Sequence, residues 1–382
     1  MPIDLAFFGT KIRRYREQFE LSLEELSQGT GIPATILNAL ELGQTVPTGD
    51  QILILADFFR CDYKFFISNE RLAPLEQTET LFRRHGDQLS KSDRWAIQEF
   101  LFLADAEEFL QESLDRKPSN YFVFTKSGTY LKGQAADAAA KLRSFLGYSD
   151  SEVSPDVYSD LRKIGLHVFR RRLENSSISG LCIRHPRAGK CILVNYSEDI
   201  YRQRFTAAHE AAHAILDDEE EFIVSFVERT NDPREMRANA FASRYLLPSN
   251  TLAKLPDPGK WDAEKATSWA NTLMVSTAVL AFALSEAGLI NAQQRDFILH
   301  TRVPKGQKVD PEFPRDLSAR STERRRWVID RGLSVYYVSV CFEAYRQQII
   351  TAERLRELLL LSSASELQEI ADLYGERFEY AY

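Results

Sequence analysis

The first seventy residues have hydrophobic positions at helical spacing, separated by turn signals. Ile12, Tyr15 and Phe19 recur every three or four residues, as on one face of a helix. Ser22 and Glu25 have the spacing of a capping box at the start of a second helix. The pattern predicts helices over 8–19, 23–28, 33–42 and 51–59. A glycine-containing turn between the second and third helices completes a helix-turn-helix pattern.

The rest of the chain changes from helical to strand-like periodicity and back. A helical connector over 74–116 precedes a polar, loop-like stretch over 117–132. The pattern then predicts an alanine-rich helix over 135–148, strands over 164–169, 178–183 and 190–195, helices over 205–216 and from 233, and a largely helical segment over 305–382. Helices around a short run of strands predict an α+β domain in the middle of the chain.

Length and composition describe a multidomain globular chain. For 382 residues we expect two to four domains, and a hydrophobic content of 44% is ample for buried cores. Runs of eighteen apolar residues are absent, and the first residues lack a signal-peptide pattern, so we expect no membrane segment. Four scattered cysteines favour a reducing cytoplasm over a disulfide framework. Cys182 and Cys191 either face each other across a hairpin or, as the simpler interpretation, are packed free thiols.

Charge limits how the chain can bind nucleic acid. The net charge of −7 argues against a protein that coats DNA through bulk electrostatics. Residues 1–70 alone hold six Lys and Arg against ten Asp and Glu. DNA binding would therefore have to be local and carried by a helix, and a homodimer would help it.

The segment LSLEELSQGTGIPATILNALELGQTVPTGDQILILADFF resembles the XRE (lambda-repressor-like) family of helix-turn-helix proteins. The resemblance implies binding to a double-stranded DNA operator, with the third helix in the major groove and Thr35 and Asn38 at base edges. Four basic residues of the first helix either contact phosphates or form a solvated face: Lys11, Arg13, Arg14 and Arg16. The alternative for the whole segment is a helical interaction module that does not touch DNA.

The sequence FTAAHEAAHAILDD places two histidines on one face of a predicted helix. His209 and His213 are four residues apart, so that both imidazoles can bind one zinc ion. Glu210 lies beside the first histidine, where its carboxylate can take a proton from a water molecule at the metal. Glu235 on the next predicted helix offers a third ligand, and Asn239 one turn later could orient a histidine. The alternative is a buried helix whose histidines only make hydrogen bonds.

The run SGLCIRHPRAGKCILVNYSEDIYRQRFTAAHEAAHAIL and the later EMRANAFASRYLLP resemble the ImmA/IrrE family of zinc metallopeptidases. The family's lead into its HExxH motif corresponds to Asn195, Arg204, Phe205 and Thr206. Its glutamate ligand, four residues before an asparagine, corresponds to Glu235 and Asn239. The resemblance extends over 135–289 and implies cleavage of a repressor or another regulatory protein. Fusion of this domain behind an XRE module is a familiar arrangement.

Three further features leave alternatives open. The acidic residues 217–221 form either a solvated turn or a surface that favours a basic substrate. A donor that stabilises the transition state is expected, and Tyr245, His185 and His300 are candidates between which sequence does not choose. Near the C-terminus, a cluster of leucines predicts a core or dimer contact: Leu355, Leu358, Leu359 and Leu361.

The sequence predicts a domain order: an all-α helix-turn-helix domain at 1–70, a helical connector at 71–134, an α+β zincin-like metallopeptidase domain at 135–300 and a helical C-terminal region at 301–382. The expected function is a cytoplasmic transcription regulator that binds operator DNA and cleaves a repressor or other regulatory protein with the help of Zn²⁺. The alternatives are a regulator whose zincin domain senses a signal without proteolysis, and a protein–protein adaptor. An HExxH motif with a third carboxylate favours the enzyme, because a scaffold does not need Glu210.

Overall fold

The computed structural model describes residues 3–68, 74–126, 131–217, 219–226, 232–313 and 317–376. The chain divides into two compact units, Met1–Leu103 and Ala104–Tyr382. Among the described helices, none is by itself long and apolar enough to cross a membrane. One sharply bent pair, Ala263–Thr272 with Thr277–Glu286, meets that test jointly by length and composition.

All regular secondary structure in the described part of the first unit is helical. Its helices are α1 (Leu5–Gln18), α2 (Leu23–Thr30), α3 (Ala34–Glu41), α4 (Gly49–Phe58), α5 (Tyr63–Ile67), α6 (Pro74–His85) and the first part of α7 (Lys91–Ser113), with a 3₁₀ turn at Gly86–Gln88. The predicted capping box is confirmed, since the Ser22 hydroxyl accepts from the Glu25 amide and the Glu25 carboxylate accepts from the Ser22 amide. Gly31 ends α2 in the left-handed region at φ +72°, where glycine carries no steric cost.

Close contact between α1 and α3 holds this helix-turn-helix together. A Cβ atom on Gly9 would lie 2.4 Å from the Leu40 carbonyl oxygen, so only glycine allows the two backbones to approach so closely. Beside this contact, Arg16 donates to both carboxylate oxygens of the buried Glu41, at 2.7 and 2.9 Å. The fourth helix packs its apolar face, with Leu55, into the same core.

The second unit combines a small sheet with helices. Its strands are β1 (His167–Arg171), β2 (Ile178–His185), β3 (Gly189–Asn195) and β4 (Phe222–Phe226). Its helices after α7 are α8 (Leu131–Phe145), α9 (Val157–Lys163), α10 (Ile200–Leu216), α11 (Pro233–Leu246), α12 (Ser249–Ala253), α13 (Ala263–Thr272), α14 (Thr277–Glu286), α15 (Ala292–Leu299), α16 (Ala319–Asp330), α17 (Val335–Arg346), α18 (Ala352–Leu358) and α19 (Ala364–Tyr374), with 3₁₀ turns at Pro258–Lys260 and Lys305–Gln307. The predicted fold class is confirmed: a helix-turn-helix region, a mixed α/β domain and a helical C-terminal region.

The strand order of the sheet is β1-β3-β2-β4. β2 and β3 form an antiparallel hairpin, β1 is parallel to β3, and β4 is antiparallel to β2. The first strand was predicted too early, because Ile164 ends α9 and Gly165 turns the chain at φ +87° before β1 begins. Cys182 pairs in register with Ile192 rather than with Cys191, so the two thiols lie on opposite faces. Both are buried free thiols, as the simpler interpretation held.

Alanines let α10 pack closely on the sheet. Ala207, Ala208 and Ala211 are fully buried in the main core, where small side chains bring a helix near the strands. Arg204 on the same helix is also fully buried, and it donates to the carbonyl oxygens of Ser154, Pro155 and Met274. These bonds fix the start of α10, the helix that carries the two histidines.

The C-terminal region packs against β1 at one end of the sheet. The Arg172 amide donates to the Asp330 carbonyl oxygen, and Arg171 forms a β-bridge with Arg331. The predicted packing face is confirmed as core, since four leucines there are at most 4% exposed: Leu355, Leu358, Leu359 and Leu361. Because α16 and Arg331 lie against β1, the other end of the sheet, β4, is where a further strand could add.

Candidate metal centre

Two neighbouring helices bring three potential metal ligands together. Nε2 of His209 lies 3.1 Å from Nε2 of His213 and 3.0 Å from a carboxylate oxygen of Glu235. The other oxygen of Glu235 lies 3.5 Å from Nε2 of His213. All three side chains are buried, and they form the one group of described residues with the spacing to hold a metal ion.

Local sequence explains why these atoms meet. A spacing of four residues places His209 and His213 on one face of α10. α11 begins after Asp232, whose side chain accepts from the Arg234 amide, so Glu235 falls in the first helical turn. α11 packs along α10 and therefore presents this carboxylate to both histidines.

Each histidine is oriented through its other ring nitrogen. Nδ1 of His209 lies 3.0 Å from Oδ1 of Asn239, the partner predicted from sequence. Nδ1 of His213 lies 2.8 Å from Oδ2 of Asp217, which also forms an ion pair with Arg237. With Nδ1 donating to oxygen, Nε2 is the nitrogen of each ring that can give up its proton and offer its lone pair to a metal ion.

The role of Asp217 was missed in the sequence. Sequence alone predicts a solvated turn or a surface for a basic substrate over the acidic residues 217–221, whereas Asp217 contacts His213 and Glu220 lies 2.6 Å from Arg234. Of the same run, Asp218 lies outside the described residues. The available signal was spacing, because a carboxylate four residues after a histidine on one helix lies one turn away from it.

Glu210 occupies a closed position between α10 and the sheet. Its side chain is fully buried, and within the described residues neither carboxylate oxygen has a hydrogen-bond donor. Burial raises the pKa of Glu210, although the nearby histidines oppose this shift. A Cβ atom on Gly180 would lie 2.9 Å from both Oε1 of Glu210 and the Leu193 carbonyl oxygen. A glycine in β2 is therefore needed where the strand passes this carboxylate.

The electrostatics of the ligand group favour a cation. Burial by itself would raise the pKa of Glu235, but hydrogen bonds with His209 and His213 lower it to about 2. Burial would likewise lower the pKa of His213, but Asp217 and Glu235 raise it to about 10. The carboxylates thus attract positive charge into the space between the three ligand atoms.

A cleft of about 420 Å³ opens onto this group. Its walls come from β2, β4, α10, α11 and the start of α14, and include Ser179, Arg202, Phe205, Ser225 and Phe282. An apolar pocket of about 510 Å³ between α11 and α14 shares Phe205 and Phe282 with the cleft. The metal-ligand group is therefore accessible from a groove that could hold an extended chain.

The candidate transition-state donors are engaged elsewhere. The Tyr245 hydroxyl donates to the buried Asp160 at 2.8 Å. Nδ1 of His185 accepts from the Ala188 amide at 3.1 Å in the β2–β3 turn, and His300 contacts the Asp296 carbonyl at the end of α15. None of these three candidates lines the cleft.

In the first unit, the predicted base-reading residues Thr35 and Asn38 are both exposed on α3. On α1, Lys11 is buried, and its ammonium donates to the carbonyl oxygens of Phe65 and Ser68. Since Arg16 is bound to Glu41, the expectation of phosphate contacts is corrected for Lys11 and Arg16. Nε of Arg13 lies 3.6 Å from Glu41 with 43% of its side chain exposed, and Arg14 is exposed.

Comparison with known families agrees with this geometry. Residues 161–285 match the Peptidase_M78 family model, the IrrE N-terminal-like domain. Residues 12–66 match the HTH_3 helix-turn-helix family model. The predicted pair of families, in this order, is confirmed. No curated protein matches the chain, and neither does any solved structure.

The two matches support a regulator that combines a helix-turn-helix module with a peptidase-family module. The Peptidase_M78 match contains β1–β4, α10 and α11, and therefore all three residues of the metal-ligand group. The helix-turn-helix match contains α2 and α3.

Proposed function

We propose that the protein is a cytoplasmic transcription regulator that binds operator DNA and carries a zinc-dependent endopeptidase domain, which cleaves a repressor or another regulatory protein. The observation that carries this proposal is the convergence of His209, His213 and Glu235 on one point beside a buried glutamate. The proposed domain boundaries are those expected from sequence, 1–70, 71–134, 135–300 and 301–382, and the boundary between the two compact units of the chain falls within the proposed connector. Free thiols at Cys182, Cys191 and Cys341 fit a reducing compartment.

The donor set suits zinc. Two imidazole nitrogens and one carboxylate are the ligands of many catalytic zinc sites, which leave a fourth position open. Bond lengths of about 2.0–2.1 Å in a tetrahedron give ligand–ligand distances of roughly 3.3 Å. The two Nε2 atoms lie 3.1 Å apart, and each lies 3.0 or 3.5 Å from one of the two carboxylate oxygens of Glu235, so the distances bracket this value. Zinc held there would supply a Lewis acid that polarises a peptide carbonyl and acidifies a water molecule.

Glu210 is the proposed general base. It is close enough to His209 and His213 for both to lower its pKa, and neither of its carboxylate oxygens accepts a hydrogen bond within the described residues. A raised pKa makes this carboxylate a better proton acceptor than an exposed glutamate. Glu210 would take the proton of the attacking water and pass it to the leaving amine. Asn239 and Asp217 would keep the two histidines in the required orientation.

The sheet provides a place for the substrate backbone. β4 pairs with β2 and, within the described residues, with no other strand. Ser225 and Phe226 of β4 line the cleft. An extended segment of the substrate would pair with this edge and so present a peptide bond to the ligand group.

DNA binding is proposed for α3, with Thr35 and Asn38 at base edges and Arg13 and Arg14 near phosphates. Because α3 carries no basic residue, affinity would depend on a homodimer that contacts two half-sites.

A second function is a regulator whose zincin-like domain senses a signal without proteolysis. Complete burial of Glu210 favours this alternative, because a general base must reach its water molecule. The two functions make different demands on Glu210, since a sensor needs the metal ligands but not the base.

One comparison of variants tests the enzyme. The purified wild type should contain about one zinc per chain, and His213→Ala should lose it. Glu210→Gln should retain zinc and fold, while cleavage of a co-encoded repressor falls roughly 10²-fold or more. Unchanged zinc in His213→Ala would remove the metal site. A Glu210→Gln protein that fully replaces the wild type in the cell would favour the sensor.

A further inference from the structure

One face of α10 leads from the metal-ligand group along the floor of the cleft. Arg202, Phe205 and His209 are spaced three, four and seven residues apart, and all line the cleft. Residues at this spacing share a helix face. Seven residues at about 1.5 Å each place the Arg202 backbone roughly 10 Å before His209 along the helix axis.

Arg202 is held in place from one side. Its Nε lies 2.9 Å from Oε1 of Glu198, and one of its terminal nitrogens lies 3.4 Å from the Ser179 hydroxyl. Glu198 itself accepts hydrogen bonds from Ser179 at 2.8 Å and from Thr206 at 3.1 Å. The Glu198 side chain is 7% exposed, whereas that of Arg202 is 47% exposed. The carboxylate is thus a buried support, and the guanidinium is the part that faces the cleft.

The contacts with Glu198 and Ser179 leave donors available. A guanidinium has five N–H groups in a fixed plane, and these contacts use Nε and one terminal nitrogen. A second carboxylate can therefore pair with the other edge of the guanidinium while Glu198 holds the first. Of the described residues that line the cleft, Arg202 is the one lysine or arginine.

We propose that Arg202 binds the side-chain carboxylate of an Asp or Glu in the substrate, about three residues from the cleaved peptide bond. An extended chain advances roughly 3.3 Å per residue, so the backbone separation of about 10 Å along α10 corresponds to three residues of a substrate that lies along this helix face. The inference rests on the proposed peptidase function, because it names the substrate class of that site. Arg202 is a specificity-determining residue here and takes no part in the chemistry.

The test uses the zinc-loaded full chain and a pool of decapeptides with one position varied among Asp, Glu, Asn, Gln and Lys. Wild type should cleave acidic peptides with a kcat/KM roughly tenfold above their amide counterparts, the scale of one hydrogen-bonded charge pair. Arg202→Gln should lose this preference, and Arg202→Glu should favour lysine. Arg184→Gln, an exposed arginine of β2 outside the cleft, is the matched control and should behave as wild type.

A binding arm separates this inference from the peptidase proposal. The Glu210→Gln protein, with and without Arg202→Gln, is used to capture the same peptides, and the bound fraction is measured by mass spectrometry. Enrichment of acidic peptides that depends on Arg202 supports the subsite even if no peptide is cleaved, in which case the peptidase proposal fails alone. Two results would overturn the proposed role of Arg202. One is equal enrichment of acidic peptides with and without Arg202. The other is a preference that requires a free C-terminal carboxylate and disappears in amidated peptides.

Discussion

Oδ2 of Asp217 lies 2.8 Å from Nδ1 of His213, one helical turn after the histidine that it contacts. An ionised carboxylate can only accept hydrogen bonds, so Nδ1 of His213 must be the donor. When the imidazole loses its second proton, as metal binding requires, its lone pair is on Nε2, the atom that faces Glu235. Arg237 pairs with the same carboxylate and fixes it in turn. The end of α10 thus determines the tautomer of one proposed metal ligand.

Replacement of Asp217 should weaken metal binding without removing a ligand. Asp217→Asn keeps the size of the side chain but loses the charge that orients His213, and we expect zinc affinity to fall by about 10–100-fold. Competition with a chromophoric chelator measures this. Glu219→Gln, an exposed residue of the same acidic run, should leave the affinity unchanged. If both variants bind zinc as the wild type does, Asp217 has no orienting role.

Gly180 should not tolerate a side chain. In Gly180→Ala the new Cβ would lie 2.9 Å from the Leu193 carbonyl oxygen, a backbone atom that cannot move without distorting the β2–β3 hairpin. We expect a loss of about 1–3 kcal/mol in the free energy of unfolding, typical of overpacking in a core. Gly49→Ala is the control, since its Cβ would meet nothing within 4 Å. Urea unfolding of both variants gives the comparison, and equal stability would show that the strand can shift at no cost.

Much of the site could be predicted because its determinants are local. The spacing of His209 and His213, and of Glu235 and Asn239, follows from helical periodicity once each helix is recognised. Asp217 has the same spacing from His213, but it is followed by four other acidic residues, and such a run is equally typical of a solvated turn. The local pattern therefore identifies which residues can share a helix face, but it does not show which acidic residue contacts His213.

The remaining features depend on contacts between distant segments. The fit of Gly180 against Glu210 arises only when β2 crosses α10, thirty residues later in the chain. In the first unit, the binding of Arg16 to Glu41 depends on how α1 packs on α3, so sequence could not exclude Arg16 as a residue that contacts phosphate. The start of β1 was misplaced because Ile164, at the end of a helix, is as apolar as a strand residue.

Stability should depend on pH through a buried histidine. Burial alone would lower the pKa of His167, but its contacts with Glu107 at 2.8 Å and Glu108 at 3.4 Å raise it from 6.5 to about 9. Hydrogen bonding to His167 lowers the pKa of Glu108 from 4.5 to about 2. The contacts of protonated His167 add fully to the free energy of unfolding below pH 6.5, and this stabilisation is lost as the pH rises through about 9. The glutamate contributes fully above pH 4.5 and loses its contribution as the pH falls towards 2.

These contributions overlap between about pH 4.5 and 6.5, where the pair is most stabilising. His167→Gln should therefore be clearly less stable than wild type at pH 6. The difference between the two proteins should shrink as the pH rises to 9.5. Thermal unfolding at both pH values measures it, and a constant difference would contradict the assignment of charge to His167.

DNA recognition should separate into base reading and phosphate contact. Asn38 is exposed on α3, where an amide can donate to and accept from a base edge, and Arg14 is exposed on α1. Selection from random duplexes should give a short palindromic site for the wild type. Asn38→Ala should relax the preference at one or two positions of each half-site, at a cost of about 1–3 kcal/mol on the preferred sequence. Arg14→Ala should instead weaken binding to all sequences and reduce the salt dependence by about one counterion.

The wild-type salt dependence should itself be modest, because Lys11 and Arg16 are already engaged within the domain. A selection that yields no preferred sequence would exclude operator binding and leave a helical interaction module, whereas an Asn38→Ala protein with unaltered preference would place the reading surface on another helix.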